Sequence, residues 1–458
     1  MTHPKHYEDQ PHIKLTEEAY LSVLRALANE PEALGRLLAD IHPADIADLI
    51  ERLPRHERGI ILSHIPYEHL GDVVAELEEG VQAHVLRLLR PEEVRHAIAE
   101  LESDDAADMA QVVEELADDT GPDAEDLLDD GETKQLLTYA EDTAGAMMQL
   151  EVFTAKPTQT ATELLGYLRD SADDMPNNPG TVFVVDGERK LLGTVSLHRL
   201  VKAPLAASME SIMRREPLTV NPTTNSDEVI QIFEKYDLHN LAVVEVDGTL
   251  LGRITIDDVL DTVQANAAYV QAAAAGVDES EDLFAPVSET TRHRLPWLGI
   301  NLITAIAAAA VIALFENSIA QLTTLAVLMP IVASMGGNAT TQTQTVIIRG
   351  LALGQITKQN AWALLKKEFM AGGYIGTILA LVMAIGVGLL YGNWMLALVI
   401  ALATVANHLI AAAAGWFTPL LLKRFNYDPA ISTGVITTTF TDVGGFFVFL
   451  GLATLLLL

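Results

Sequence analysis

The chain has no cysteine, which excludes disulfides, thiolate metal sites and cysteine nucleophiles and leaves the compartment open. It is also short of cations, with 29 Lys and Arg against 62 Asp and Glu and a formal net charge of −33. That balance speaks against nucleic acid as a partner, because such binding rests on cationic side chains displacing counterions from phosphate. The opening MTHPKHYEDQ has no apolar run behind a basic start, so no cleavable signal peptide is expected. Phosphate-loop, metal-hydrolase and nucleophile motifs are missing, which argues against an enzyme.

What is present divides in two. At 458 residues the chain has room for about three domains. From Pro296 onward the acids are Glu316, Glu368, Asp428 and Asp442, and the bases are Arg349, Lys358, Lys366, Lys367, Lys423 and Arg424. All but four acids and all but six bases therefore lie earlier, and the front part carries a net −35. A strongly acidic soluble region is joined to an apolar one. Excess acid either keeps that region dispersed or serves to bind cations.

Five apolar stretches, about 296–315, 319–343, 369–391, 394–422 and 430–457, each reach the roughly 20 residues a helix needs to cross hydrocarbon. Arg292 and Arg294 precede the first; Arg349, Lys358, Lys366 and Lys367 lie between the second and third; Lys423 and Arg424 lie between the fourth and fifth. The links at 316–318 and 391–394 have no Lys or Arg. By the positive-inside rule the soluble region is cytoplasmic and the C-terminus external.

The second stretch carries MGGNATTQTQT (335–345), a polar run expected to break the helix against protein or a wet cavity. Gly336 and Gly337 fit small-residue helix packing, but Asn338, Gln342 and Thr343 add oxygens that packing does not need. In TTTFTDVGGFFVFLG (437–451) a lone carboxylate, Asp442, stands in an apolar run. A bare charge there costs at least about 2.5 to 3.5 kcal/mol, so it should meet a partner, water or an ion. Helix rise puts Asn338 and Asp442 at similar depth, about 17 and 18 Å above the basic edge, which suggests one shared hydrophilic path. His408 reads as a packed, hydrogen-bonded histidine.

Two repeats organise the soluble part. IHPADIADLIERL (41–53), IPYEHLGDVVAEL (65–77) and LRPEEVRHAIAEL (89–101) recur every 24 residues, and DDAADMAQVVEEL (104–116) is a closer-spaced fourth copy, which predicts a small helical superhelix. Asp104 and Asp108 share a helix face, either as a solvated surface or as a receiver for a cation. Next, AMMQLEVFTAKPTQTATELL (146–165) matches SIMRREPLTVNPTTNSDEVI (211–230), and VFVVDGERKLLGTVSLHRL (182–200) matches LAVVEVDGTLLGRITIDDVL (241–260). Each copy reads as a helix, two β-rich runs joined at Asp186-Gly187 or Asp247-Gly248, then a helix. The pair resembles tandem CBS (cystathionine-β-synthase) domains. Thr255 and Asp258 keep that family's ribose-contacting pattern, whereas the first copy has Arg199 at the Asp position, which speaks against nucleotide binding there.

Taken with PIVASMGGNATTQ (330–342) and YDPAISTGVITTTFTDVGG (427–445), this layout resembles the MgtE family of magnesium channels over nearly the whole chain. The resemblance implies an acidic helical N domain (1–137), tandem CBS domains (138–262), a connecting helix (263–291) and a five-helix pore domain (292–458). It implies a homodimer in the inner (plasma) membrane whose central pore passes Mg²⁺ and is closed by cytosolic Mg²⁺. Asp442, Asn338 and Gln342 fall on the family's pore positions. Asp104 and Asp108 of the N domain, with Asp227, Asp237, Asp258 and Asp261 of the second CBS domain, are implied to be held together by bound Mg²⁺, and ATP is implied at the CBS pair. Magnesium's demand for oxygen ligands and its reluctance to lose water fit a carboxylate with amides and hydroxyls around a hydrated ion. A divalent ion moving down 100 mV releases about 4.6 kcal/mol, so no ATPase is required.

Two departures from the family pattern stand out. Thr340 and Thr341 replace Gly-Asn, which bears on selectivity. In TVQANAAYVQAAAAG (262–276), Asn266, Tyr269 and Val270 replace acids, as does Asn225 earlier, which implies weaker inhibition or a sensor resting on DESED (278–282). The alternatives are a secondary transporter coupling Asp442 protonation to divalent-ion movement, and a CBS receptor in the membrane that responds to adenine nucleotides.

Overall fold

The computed structural model describes residues 16–116, 127–128, 131, 133–170, 179–278, 280–352, 355–357, 359–425 and 429–458. The opening MTHPKHYEDQ, Glu279 of DESED, Lys358, and Tyr427 and Asp428 of the last motif lie outside them. The chain divides into two compact units, Met1–Ala265 with Asp282–Ala285, and Asn266–Glu281 with Pro286–Leu458.

In the first unit the 24-residue repeats become short helices at Pro43–Glu51, Leu70–Ala75 and Pro91–Ala99, followed by Ser103–Leu116. Arg55–Leu62 and Glu79–Leu86 occupy the links between them. Pro43 and Pro91 sit in first turns, where a missing N–H removes no helical bond. The terminal Leu53 and Leu77 of two repeats are buried with Ile46, Leu49, Ile50, Val73, Val74 and Ile98 in one core.

The second repeat folds as expected. β1 (Thr154–Ala155), β2 (Thr181–Val185), β3 (Leu191–Ser196) and β4 (Arg214–Arg215) form one sheet in that order, and β5 (Thr219–Val220), β6 (Asn240–Val244) and β7 (Leu250–Thr255) form another. In both, a parallel pair is followed by an antiparallel one. Both expected turns are closed by aspartate: Asp186 Oδ1 accepts from Glu188 N and Lys190 N at 2.9 Å, and Asp247 Oδ1 accepts from Thr249 N at 3.0 Å. Phe183, Val185, Ala242 and Leu250 bury the seam between the copies. The Ser103–Leu116 helix is docked on this pair: Ala107 enters the core with Val229, Phe233 and Ile254. Ser103 Oγ donates to Glu151 at 2.8 Å and accepts from Leu150 N at 2.8 Å.

Helix Ile256–Ala275 follows β7 and ends at Gly276, whose φ of +69° lets its N–H reach Ala273 O while Val277 N reaches Ala272 O. A left-handed residue at this position is where glycine avoids a Cβ clash.

The second unit is helical. Its long helices are Val287–Ala313, Thr324–Ala352, Ala361–Tyr391, Trp394–Arg424 and Pro429–Leu457, the first through fifth spans below, with a short helix Glu316–Gln321 after the first. Among the described residues four of them, all but the second, are long and apolar enough to cross a membrane. The second has the length but is diluted by its polar run. The third ends at Gly392, φ +65°, and Asn393 Oδ1 accepts from Met395 N and Leu396 N to cap the fourth. The fourth span is central: Val399, Ile400 and Ala403 are buried with Leu325, Val332, Phe449 and Leu450.

The expected break at 335–345 does not occur. The second span is one continuous helix, because its threonines bond back along the turn: Thr340 Oγ1 donates to Gly336 O at 3.0 Å, Thr341 to Gly337 O at 3.1 Å and Thr345 to Thr341 O at 2.8 Å. Hydroxyls paired this way need no partner from the lipid.

Candidate metal centre and ion path

The Ser103–Leu116 helix and the start of helix Ile256–Ala275 bring carboxylates together inside the first unit. Asp104 is 6% exposed, and its Oδ1 has no hydrogen-bond partner among the described residues. Burial, with Asp105 and Asp258 beside it, pushes its carboxyl well up. Asp105 is pushed up to about 7 by burial and then by Asp258, Asp108, Glu102 and Glu76. Asp108 is pushed up to about 6 by burial, Glu141 and Asp258. These last two keep a solvent-exposed edge while protein mass surrounds them, as on the walls of a cleft open to water. At the C-terminal end of the Leu70–Ala75 helix, Glu76 is raised by burial, Asp261 and Asp48, and Asp261 by burial and Asp257. Like charges are thus gathered, offset at Asp258 by the nearby Arg253. Among the described residues no trio of His, Asp or Glu converges as a preformed coordination shell. Such an arrangement suits a cation held through its own water.

Of the expected ligands, Asp104, Asp108, Asp258 and Asp261 join this region. Asp227 and Asp237 stand exposed at the two ends of helix Ser226–Tyr236, Asp237 in a left-handed C-cap with φ +50°. Asp105 and Glu76 were not anticipated. Asp105 has the signal of an acid run, but its helix phase alone did not place it in the cleft.

DESED does not behave as a free acidic sensor. Asp278 meets His293 at 3.2 Å and its own Ser280, Glu281 takes two bonds from Arg294, and Asp282 takes Arg55 and Arg58. The Arg pairs and His293 leave these acids committed within the chain.

At the nucleotide pattern, Thr255 N and Oγ1 both donate to Asp258 Oδ2, and Gln149 Nε2 reaches Asp258 Oδ1 at 3.3 Å. In the first copy the polarity reverses: Ser196 Oγ accepts from Arg199 N at 3.3 Å, with Arg199 exposed and no carboxylate at its position.

In the second unit, Ser334, Asn338, Thr341, Gln342 and Thr345 lie along one face of the second span at helical spacing, and all are exposed in the single chain. Asp442 on the fifth span is partly exposed. Asn407 of the fourth span touches both the second and the fifth span. Asn407 is 1% exposed, its Nδ2 donates to Val332 O at 2.8 Å, and its amide fills the space a Cβ at Gly336 or Gly445 would need. Its Oδ1 has no partner among the described residues. Nothing in the apolar run around Asn407 marked it, since the contact joins three helices. Thr437 Oγ1 donates to Gln344 Oε1 at 3.0 Å, a second buried link between the second and fifth spans. Gln344, not Gln342, is the inward glutamine. His408 is packed as expected, 3% exposed with Nδ1 against Thr404 O at 2.8 Å.

A helical acidic domain docked on a CBS pair, followed by apolar helices with a polar stripe, is the make-up of a multi-pass membrane transporter. Known proteins agree: the divalent cation transporter profile matches residues 329–452, the MgtE intracellular N domain matches 41–142, and CBS domains match 144–206 and 209–265. Magnesium transporter MgtE of Thermus thermophilus is 30% identical over 97% of this chain and 99% of its own length. The Bacillus subtilis magnesium transporter MgtE is 27% identical over 91% of this chain and 92% of its own. The solved cytosolic domain of the Mg²⁺ channel MgtE in complex with ATP is 32% identical, with a TM-score of 0.50, over 53% of this chain and 99% of that one. The chain belongs to the MgtE family.

Proposed function

We propose that this protein is a magnesium-selective channel of the inner (plasma) membrane that works as a homodimer, carries Mg²⁺ inward down the membrane potential and closes when cytosolic Mg²⁺ is high. One observation carries the reading: the polar face of the second span is exposed in the single chain, and Asp442 on the fifth span is partly exposed. In lipid such a face costs several kcal/mol. Paired across a two-fold axis, it becomes the wall of a water-filled path. Asp442, Asn338 and Gln342 then supply one carboxylate and two amides per chain to a hydrated ion, and Asn407 holds the second and fifth spans in register.

Closure uses the acid cluster. Asp104, Asp105, Asp108, Asp258 and Asp261 would hold the regulatory Mg²⁺, an all-oxygen donor set that suits a hard cation. Oδ1 of Asp104, without a partner among the described residues, is an acceptor open to such a charge. Without it the carboxylates repel across the joint between the N domain and the second CBS copy, and the joint loosens. Asp227 and Asp237, exposed at their helix ends, would be outer members at most. Thr255 and Asp258 would hold the ribose of ATP in the second CBS copy, Asp258 Oδ1 keeping capacity beyond its long bond from Gln149. The soluble region lies in the cytoplasm and the C-terminus outside, with Lys423 and Arg424 on the cytoplasmic edge.

Growth of a magnesium-transport-deficient bacterium tests this. Wild type should restore growth at low Mg²⁺ and Asp442→Ala, expressed to the same level, should not. Equal rescue would remove Asp442 from the path. A rescue that depends on the proton gradient would point to coupled transport instead.

A further inference from the structure

DESED is an acidic motif that the function above does not use, and its pairing is asymmetric. Asp282 is gripped by the N-terminal helical domain. Arg58 is fully buried, its Nε spent on Ile50 O at 3.2 Å and Leu53 O at 3.0 Å, and its Nη1 and Nη2 donate to the two oxygens of Asp282 at 2.7 and 2.9 Å. Arg55 Nε adds a bond of 2.7 Å, Phe284 N donates to Oδ1 at 2.9 Å, and the Phe284 ring lies 5.9 Å from the Arg58 guanidinium. The Asp282 side chain is 1% exposed. Four N–H donors on one carboxylate hold it far below the usual range despite its burial, so it stays charged at any physiological pH.

The residue before it faces the other way. Glu281 accepts from Arg294 Nε at 3.0 Å and Nη2 at 2.7 Å, and Arg294 lies in the second turn of the first-span helix. Asp278 meets His293 of the same turn. In keeping with this, Asp282–Ala285 folds with the N-terminal unit while Glu281 before it and Pro286 after it fold with the membrane unit. One peptide bond separates a carboxylate held by the N domain from a carboxylate held by the first span.

We propose that Glu281 and Asp282 form a strap that transmits the position of the N domain to the first span, separate from the acid cluster that senses the ion. Arg58 and Asp282 are positioning residues and touch no transported ion. The buried bidentate pair is the fixed end, because removing one partner leaves an uncompensated buried charge. The Arg294–Glu281 pair, with Arg294 52% exposed, is the weaker, yielding end. The strap rests on the gating reading above, and the test separates the two.

Hydrogen exchange of the full chain in lipid nanodiscs, with and without Mg²⁺, reads sensing in the Ser103–Leu116 helix and transmission in the first turns after Val287. In wild type both segments should slow with Mg²⁺. In Asp282→Asn the sensing helix should respond as before, while the response after Val287 should shrink by about tenfold, within the range of ordinary coupling between sites. Arg58→Gln should behave alike, and a joint replacement, Arg58→Met with Asp282→Leu, controls for the stray buried charge and should also lose transmission. Retained transmission in Asp282→Asn overturns the strap. A wild-type span that ignores Mg²⁺ while the helix responds also overturns it. A helix that does not respond at all in wild type overturns the sensor reading. Loss of sensing in all three variants shows a structural role only and rejects the strap.

Discussion

Replacing Asp108 by Asn should let the N domain stay docked on the second CBS copy without any cation. Docking raises this carboxyl from 3.8 to about 6, through burial and the charges of Glu141 and Asp258. For a dry group that rise equals about 3 kcal/mol. Asp108 keeps an exposed edge, so screening reduces the penalty to about 1 to 2 kcal/mol. An amide of the same shape removes it, and metal-free docking should strengthen by about 5- to 30-fold. The sign fixes the pH dependence. Between pH 3.8 and 6 the docked form binds more protons than the released one, so the docking it favours is complete below about pH 4 and is lost as pH rises through about 6. Hydrogen exchange of the Ser103–Leu116 helix in metal-free buffer checks both statements. At pH 7.5 the variant should exchange about 5- to 30-fold more slowly than wild type, and near pH 4 the two should converge. Equal exchange at pH 7.5, or faster exchange in the variant, would refute the repulsion argument.

Other outcomes follow from packing. Asn407→Leu keeps the volume but removes the bond to Val332 O; Mg²⁺ flux in liposomes should fall by about tenfold with the dimer intact, the effect of about 1.4 kcal/mol at the path. Gly276→Ala forces a Cβ into the left-handed C-cap and onto the Trp297 ring, and should lower thermal stability by at least about 1 kcal/mol. Gly71→Ala would set a Cβ 2.5 Å from Ala97 O, and urea unfolding should report a loss of about 1 to 3 kcal/mol in the N domain.

Periodicity carried most of the fold. The 24-residue spacing of apolar positions and prolines specified the stacked helices, since each repeat must bury its own leucine stripe. The Asp-Gly turns specified the paired strands. What failed was the assumption that a polar run ends a membrane helix: Thr340, Thr341 and Thr345 bond within their own turns, and Gly336 is small because Asn407 lies on it, a neighbour 71 positions away in sequence. Local spacing placed Asp104 and Asp108 on one face. It could not place Asp105, which belongs to the cleft through the approach of Asp258. The same limit governed DESED. An acidic run reads as a cation site until the chain's own arginines are found against it, and Arg58 lies 224 positions from Asp282.

The unbroken second span has a further bearing on how such a path is tuned. With its helix intact across the polar run, the backbone carbonyls there stay occupied by their own helical bonds, so the oxygens presented along this face are those of Ser334, Asn338, Thr341, Gln342 and Thr345. A filter built of carbonyls can be altered only by reshaping the main chain. Here each oxygen on the face belongs to a side chain with a codon of its own, and on the proposed reading ion preference would drift by single replacements that leave the helix as it is.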